Sequence, residues 1–288
     1  MTADARSQLA GRVAEALDTG VVEATRLGGG DVAESFRMRL DDGSTVFAKT
    51  HADPPAHFFE TEAAGLEWLR AADAVAVPRV LAVADGMLVI EWVDEGRAVS
   101  STESDLGRSL AALHAVGSET FGRSDRRTTG SRALPNEPVD TWAEHYADNR
   151  LLPLARLAAD EGALSASTVG RLERLAARLD AFGAADEPPA RLHGDLWAGN
   201  RLVDRAGDNW LIDPAAHGGH REFDLAMMRL FGGYGDDCFA SYQEVSPLAD
   251  GWADRIPLHQ LAPLAVHAIK FGGPYAAATE RALDALGA

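Results

Sequence analysis

The segment that most constrains this chain is His193-Gly194-Asp195-Leu196-Trp197-Ala198-Gly199-Asn200, followed by Leu211-Ile212-Asp213-Pro214. A fold that carries it has to bring a carboxylate, a nearby amide and a second carboxylate into one place. Phosphoryl transfer needs that set. One carboxylate receives the proton of the attacking hydroxyl, while an amide oxygen and another carboxylate hold magnesium on nucleotide phosphates. Gly, Asp and Asn are also ordinary turn residues. The apolar strands on either side separate the two readings. Asp195 is then the catalytic base, Asn200 and Asp213 are the metal ligands, and His193 props the loop.

Other chemistries fit less well. No G-x-S-x-G elbow accompanies the His-Asp pair, so a hydrolase triad has no nucleophile. His217 and His220 stand three apart with no evident third ligand, which does not make a zinc site.

The rest of the chain divides by character. Residues 4–18 read as a helix with Leu9, Val13, Ala16 and Leu17 on one face. A β-rich stretch follows, through Thr25-Arg26-Leu27, Ser35–Leu40 and Thr45–Lys49, with Asp42-Gly43 as a hairpin turn. Residues 56–71 form an amphipathic helix, and Val80–Val83 and Met87–Trp92 two further strands. Beyond Asp94-Glu95-Gly96, segments 101–116, 139–149, 165–182, 221–231 and 255–270 read as helices. Only about 190–213 is strand-like there, and 117–138 reads as a long ordered loop. The expected fold class is α+β: a small antiparallel sheet lobe with one main helix over residues 1–93, and a larger, mostly helical lobe over 94–288.

The first lobe offers the nucleotide contacts. Gly28, Gly29 and Gly30 would let backbone N–H groups approach phosphate oxygens. Val46-Phe47-Ala48-Lys49 resembles the V-A-I-K strand, whose lysine pairs the phosphates and a glutamate on the next helix. Glu62, one turn ahead of Leu66, is the chosen partner, with Glu60 as fallback. Glu91, Trp92 and Val93 stand where a hinge would read the adenine edge.

The protein-kinase catalytic loop has the form H-R-D-L-x-x-x-N, matched here except at Gly194. Asp213-Pro214-Ala215 stands in place of D-F-G and no A-P-E follows, which favours a small-molecule kinase over a regulated protein kinase. Glu222 and Asp224 open a helix, where the dipole favours acids, and Asp224 is placed to bond back to the catalytic loop.

Composition narrows the partners. A formal net charge of −17 disfavours nucleic acid; it reads first as a solubility device and second as an attraction for cationic amines. No run approaches the roughly 20 apolar residues of a membrane span. The N-terminal stretch has neither signal nor transit character. Cys238 is the only cysteine, so no internal disulfide can form and a cytoplasmic location is expected.

Taken together, His193–Asn200, Ile212–Ala215 and Gly219-His220-Arg221-Glu222-Phe223-Asp224-Leu225-Ala226-Met227 resemble the fructosamine kinase (ketoamine 3-kinase) family. Leu106–His114, Trp142 with Asn149–Pro153, Leu230–Tyr234 and the tail with His267, Phe271-Gly272 and Tyr275 agree with it. The resemblance implies ATP- and magnesium-dependent phosphorylation of the C3 hydroxyl of ketoamines, on free amines or on glycated protein lysines; a monomer is expected. Release of the free amine follows, which amounts to deglycation. It also implies that Trp197, His220, Arg221 and Glu222 line or shape the substrate pocket. A kinase of another amine-bearing molecule, such as an aminoglycoside or amino-sugar, is the alternative. Gly28–Ser35 lacks the cysteine some members use for redox-linked dimerisation, and Arg126-Arg127-Thr128-Thr129-Gly130 departs from the family pattern.

Overall fold

A computed structural model describes residues 3–28, 33–84, 86–125, 128–129, 133–182 and 186–288. Gly29, Gly30, Arg126, Arg127 and Gly130 lie outside the described residues.

Helix α1 (Ala3–Leu17) precedes strands β1 (Val21–Arg26), β2 (Glu34–Leu40) and β3 (Thr45–Thr50); then come α2 (Phe58–Arg70), β4 (Val80–Ala84) and β5 (Met87–Glu91). The strands make one antiparallel sheet in the order β1-β2-β3-β5-β4. Alternation does the sorting in β2, where Phe36, Met38 and Leu40 face inward and Arg37 and Arg39 outward. Leu9 and Val13 of α1 cover that inner face, so the sheet carries a second helix besides α2.

The larger part begins with α3 (Thr102–Val116). A short ribbon, β6 (Thr128–Thr129) with β7 (Leu134–Pro135), stands within the segment read as loop. Then α4 (Trp142–Tyr146) runs through a π-turn, Ala147–Leu151, into α5 (Leu152–Asp160). Pro153 accounts for the register change. It has no N–H for the Asn149 carbonyl, and the Arg150 guanidinium donates to that oxygen instead, at 2.9 Å. After α6 (Ala166–Ala176) come β8 (Ala190–Leu192), β9 (Arg201–Val203), β10 (Asn209–Leu211) and β11 (His217–Gly219). The last helices are α7 (Glu222–Phe231), α8 (Asp236–Val245), α9 (Trp252–Phe271) and α10 (Pro274–Ala285). The strands pair as two antiparallel ribbons, β9 with β10 and β8 with β11. The observed architecture is the expected α+β, two-lobed one.

One hydrophobic core joins the two parts. Phe59, Leu66 and Leu69 of α2 pack with Leu106 and Leu110 of α3, Leu196 of the catalytic loop, and Leu211, Leu225 and Tyr242. Gly107 lets α8 come close, because a Cβ there would meet the Cys238 carbonyl. Cys238 itself is buried and free, and burial pushes its thiol up to about 12. No described helix is long and apolar enough to cross a membrane.

Candidate active site

The catalytic loop runs from β8, and the second aspartate follows β10, so two separate ribbons have to be locked together. The His193 ring does this. Its Nδ1 accepts the Asp195 N–H at 3.2 Å, and its Nε2 donates to the Ile212 carbonyl at 2.9 Å. Burial keeps this imidazole neutral, pulling its pKa below the usual range. Asp224, fully buried at the start of α7, accepts the N–H groups of His193 (2.8 Å) and Gly194 (2.9 Å). His114 lies 3.3 Å from the same carboxylate. Burial works against that charge, but His114 and the Gly194 N–H outweigh it and hold the carboxyl below its ordinary value.

Gly194 explains the missing arginine. Its φ is +80°, where L side chains are strained, and a Cβ would run into the Ala215 carbonyl. The loop therefore closes on residues 213–217 with no space for a side chain at that position.

Asn200 gathers the two acids. Its amide nitrogen donates to the Asp195 carbonyl (2.9 Å), to Asp195 Oδ2 (3.1 Å) and to the Asp213 carbonyl (3.4 Å). Both donors are spent on the loop, which leaves the amide oxygen to face a cation. Asp213 has φ +56°, an unusual backbone state that aspartate tolerates better than most residues. One of its oxygens lies 2.8 Å from Lys49 Nζ, and the side chain is half exposed. A free amide oxygen beside a partly open carboxylate is a hard-oxygen set of the kind magnesium prefers, so the residues fit that ion. Burial and the Asp213 charge push Asp195 up to about 7, against opposing pulls from Lys270 and Asn200. A base with that poise suits proton acceptance near neutral pH.

Lys49 also lies 2.8 Å from Glu62 Oε1. Both residues are buried; Glu60 is not part of this contact. Burial opposes the ammonium but Asp213 and Glu62 outweigh it, so Lys49 is held charged. Gly65 lets α2 rest on Pro214 and Ala216, which seats the helix directly on the Asp213 loop. Gly28 is exposed at the end of β1. At the end of β5, Glu91 Oε2 accepts the Arg79 N–H at 3.2 Å and Trp92 Nε1 donates to Asp94 at 3.0 Å. Val93 is buried, and among the described residues no backbone carbonyl takes the N–H of Trp92 or Val93.

The acceptor side is aromatic. The Trp197 indole is 43% exposed and lies over Gly199. His220 and Glu222 are buried, 2% and 1% exposed. Glu222 takes both Arg255 nitrogens (2.6 and 2.9 Å), with His259 at 3.3 Å, while His220 Nδ1 accepts the Glu222 N–H at 3.2 Å. This trio resembles a metal set by proximity. However, the carboxylate is saturated by Arg255 and one imidazole nitrogen is spent on the backbone. Arg221 clamps Glu187 (2.7 and 2.9 Å) to the Ser246 and Pro247 carbonyls (3.0 and 2.8 Å). The His220–Glu222 segment is thus placed as internal struts, while Trp197 stands open at the loop.

The comparisons with known proteins agree with this geometry. The profile of the family described as fructosamine kinase matches residues 5–288. The chain belongs to the fructosamine kinase family. A Thermobifida fusca crystal structure named for fructosamine-3-kinase shares 42% identity with it at a TM-score of 0.90, over 97% of this chain and 99% of that one. A Synechocystis protein named for ketoamine kinase is 33% identical over 263 residues, 88% of this chain and 87% of its own. A protein solved with streptomycin and ATP shares 14% identity at a TM-score of 0.65, over 99% of this chain and 97% of that one, and so shares the fold alone. As a fructosamine kinase the chain is an ATP-dependent phosphotransferase.

This fructosamine kinase fastens α2 from outside as well. Two guanidinium groups lie over the Trp68 ring, Arg123 at 4.7 Å and Arg191 at 4.6 Å, and Arg191 also donates to the Trp68 carbonyl at 2.8 Å. Arg191 belongs to β8, two residues before the catalytic loop. Each such contact is worth about 0.5–2 kcal/mol. Trp68→Ala is expected to loosen α2 and raise KM for ATP roughly tenfold, with KM for the acceptor unchanged; steady-state kinetics in both substrates check this.

Asp224 bonds back to the catalytic loop as expected, through the His193 and Gly194 N–H groups. One contributor escaped the motif reading. Lys270 was not singled out, although a count would have found it: two of the 27 basic residues are lysines, and Lys49 is the other.

Proposed function

We propose that this fructosamine kinase phosphorylates the C3 hydroxyl of sugar-derived ketoamines, with Asp195 as the base. The observation that carries the reading is the single hydrogen-bonded assembly of Asp195, Asn200, Asp213, Lys49 and Glu62. Asp195 Oδ2 is occupied by Asn200, which leaves Oδ1 to take the substrate proton. The hydroxyl oxygen forms a bond to the γ-phosphorus, the bond from that phosphorus to the bridging oxygen breaks, and ADP leaves with the electron pair. Because the transition state is loose, orienting the hydroxyl matters more than deep proton abstraction. Lys49, held by Glu62, pairs the α- and β-phosphates. Asn200 and Asp213 would hold magnesium, which neutralises charge on the phosphate oxygens when bound.

Gly28, with Gly29 and Gly30, covers the phosphates in this proposal, and Glu91–Val93 reads adenine through the backbone. The division into 1–93 and 94–288, with the nucleotide between, belongs to the same reading. Trp197 faces the sugar, and His220, Arg221 and Glu222 keep that wall in shape. Glycated lysines on proteins are included among the acceptors, so the chain acts in deglycation. A monomer in the cytoplasm fits the single buried cysteine.

The test is ADP release with ATP and magnesium across ribulosyl-lysine, fructosyl-lysine and an aminoglycoside panel. Turnover confined to the ketoamines is expected. Turnover on aminoglycosides alone would overturn the acceptor assignment.

A further inference from the structure

Lysine is nearly absent from this chain. Two of 27 basic residues are lysines, and arginine fills every other basic position. Arginine makes the surface ion pairs and the guanidinium–ring contacts described above. The two lysines are then the places to look for what a planar guanidinium does less well. Lys49 meets two carboxylates at 2.8 Å at the nucleotide site.

Lys270 stands in the last turn of α9, half-buried. A chain of rings carries that turn to the catalytic loop: Trp197 to Phe231 at 6.4 Å, Phe231 to His267 at 4.8 Å, and His267 to Phe271 and Tyr275 at 5.6 and 5.0 Å. His267 lies three residues before Lys270, on the same side of the helix. Phe271, next in sequence, is 52% exposed, so the turn borders open space. The Lys270 charge is felt at both Asp195 and Asp213, where it favours the ionised carboxylates. Lys49 is held by two acids, whereas no described residue forms an ion pair with Lys270. An ammonium that is half-buried, has no ion-pair partner among the described residues and sits on the turn that the rings tie to the catalytic loop is a site for an incoming anion. A compact ammonium on a flexible stem can follow such an anion as it moves, which a rigid guanidinium fork does poorly.

We infer that Lys270 binds the transferred phosphoryl group from the acceptor side, meeting its oxygens as they pass to the substrate hydroxyl and holding the phosphorylated product. This rests on the kinase reading above. Lys49 then serves the phosphates that stay on ADP, and Lys270 the one that leaves.

The scarcity of lysine makes the test direct. Acetylation with an N-hydroxysuccinimide ester can mark only Lys49 and Lys270 among side-chain amines, and mass spectrometry reads each separately. Inorganic phosphate, or the 3-phosphorylated ketoamine, at about ten times its dissociation constant should slow Lys270 labelling roughly tenfold. The unphosphorylated ketoamine should leave the rate unchanged. Equal protection by both, or none by phosphate, would overturn the assignment. In turnover, Lys270→Met should lower kcat roughly 10²-fold with KM for ATP unchanged, as for loss of a transition-state donor. Lys270→Arg should recover part of that loss, since it restores the charge. Undiminished kcat in Lys270→Met would also overturn the inference. Phosphate protection needs no ketoamine, so a wild-type protein inactive on ketoamines would sink the acceptor assignment while labelling still decided the role of Lys270.

Discussion

Asp195→Asn is expected to lower kcat about 10³–10⁴-fold, the upper range for removing a positioned proton acceptor. The substitution keeps size and polarity, so Asn200 retains a neighbour and the loop retains its clamps to Asp224 and Ile212. ATP contacts through Lys49 are untouched, and the dissociation constant for ATP, measured by calorimetry, should stay essentially at the wild-type value. The inactive variant should also be no less stable. Burial and Asp213 hold the Asp195 carboxyl at about 7 in the folded protein, above its ordinary 3.8. The folded state therefore binds this proton more tightly than the unfolded state does, and ionisation at higher pH works against folding. Replacing the carboxylate with an amide removes that opposition. At pH 8 the melting temperature of Asp195→Asn should equal or exceed that of the wild type. A variant that lost activity through unfolding would melt lower, and that result would discredit the base assignment.

The second large effect falls on stability. Glu222→Gln is expected to cost about 3–5 kcal/mol, because it leaves the buried Arg255 guanidinium without its counter-charge. Burial opposes the Glu222 carboxylate, yet the His259 and Arg255 hydrogen bonds outweigh it and hold the group at about 2, below its ordinary 4.5. The sign follows from that depression. The stability it contributes is fully present above pH 4.5 and is lost as pH falls towards 2. Melting curves of wild type and variant should lie far apart at pH 7 and converge below pH 4.5. A gap that stays constant with pH would show that the carboxylate charge is not what holds this strut. Among molecules still folded, KM for the acceptor should change little, since the buried Glu222 has no open face for a ligand.

The catalytic frame was legible because its spacing is rigid. Asp195 and Asn200 lie on one loop, Asp213 follows the next ribbon, and Lys49 ends an apolar strand; that order alone brings them together. Glu62 was legible by helical phase, one turn ahead of Leu66. Other elements left weaker traces. β11 is His-Gly-Gly, a sequence with no strand preference, and it becomes a strand because β8 pairs with it. α10 is rich in alanine, which favours helix without marking a face, and α8 begins Asp-Asp-Cys with little apolar rhythm. The π-turn at 147–151 depends on a proline and on an arginine reaching a carbonyl, a combination no periodicity records. Reading His220-Arg221-Glu222 as a pocket wall was coarser. Sequence can mark a stretch as special, but whether its charges face solvent or each other depends on partners such as Glu187 and Arg255, far off in the chain.

The fused core has a consequence for how such an enzyme is governed. Swinging α2 outward, the usual way to disarm this architecture, would expose Phe59, Leu66 and Leu69 at about 1.5–3 kcal/mol each. It would also tear Trp68 from its two arginines. The fused core thus holds α2 in its working position, and a resting state reached by swinging that helix outward is disfavoured by the whole of this burial.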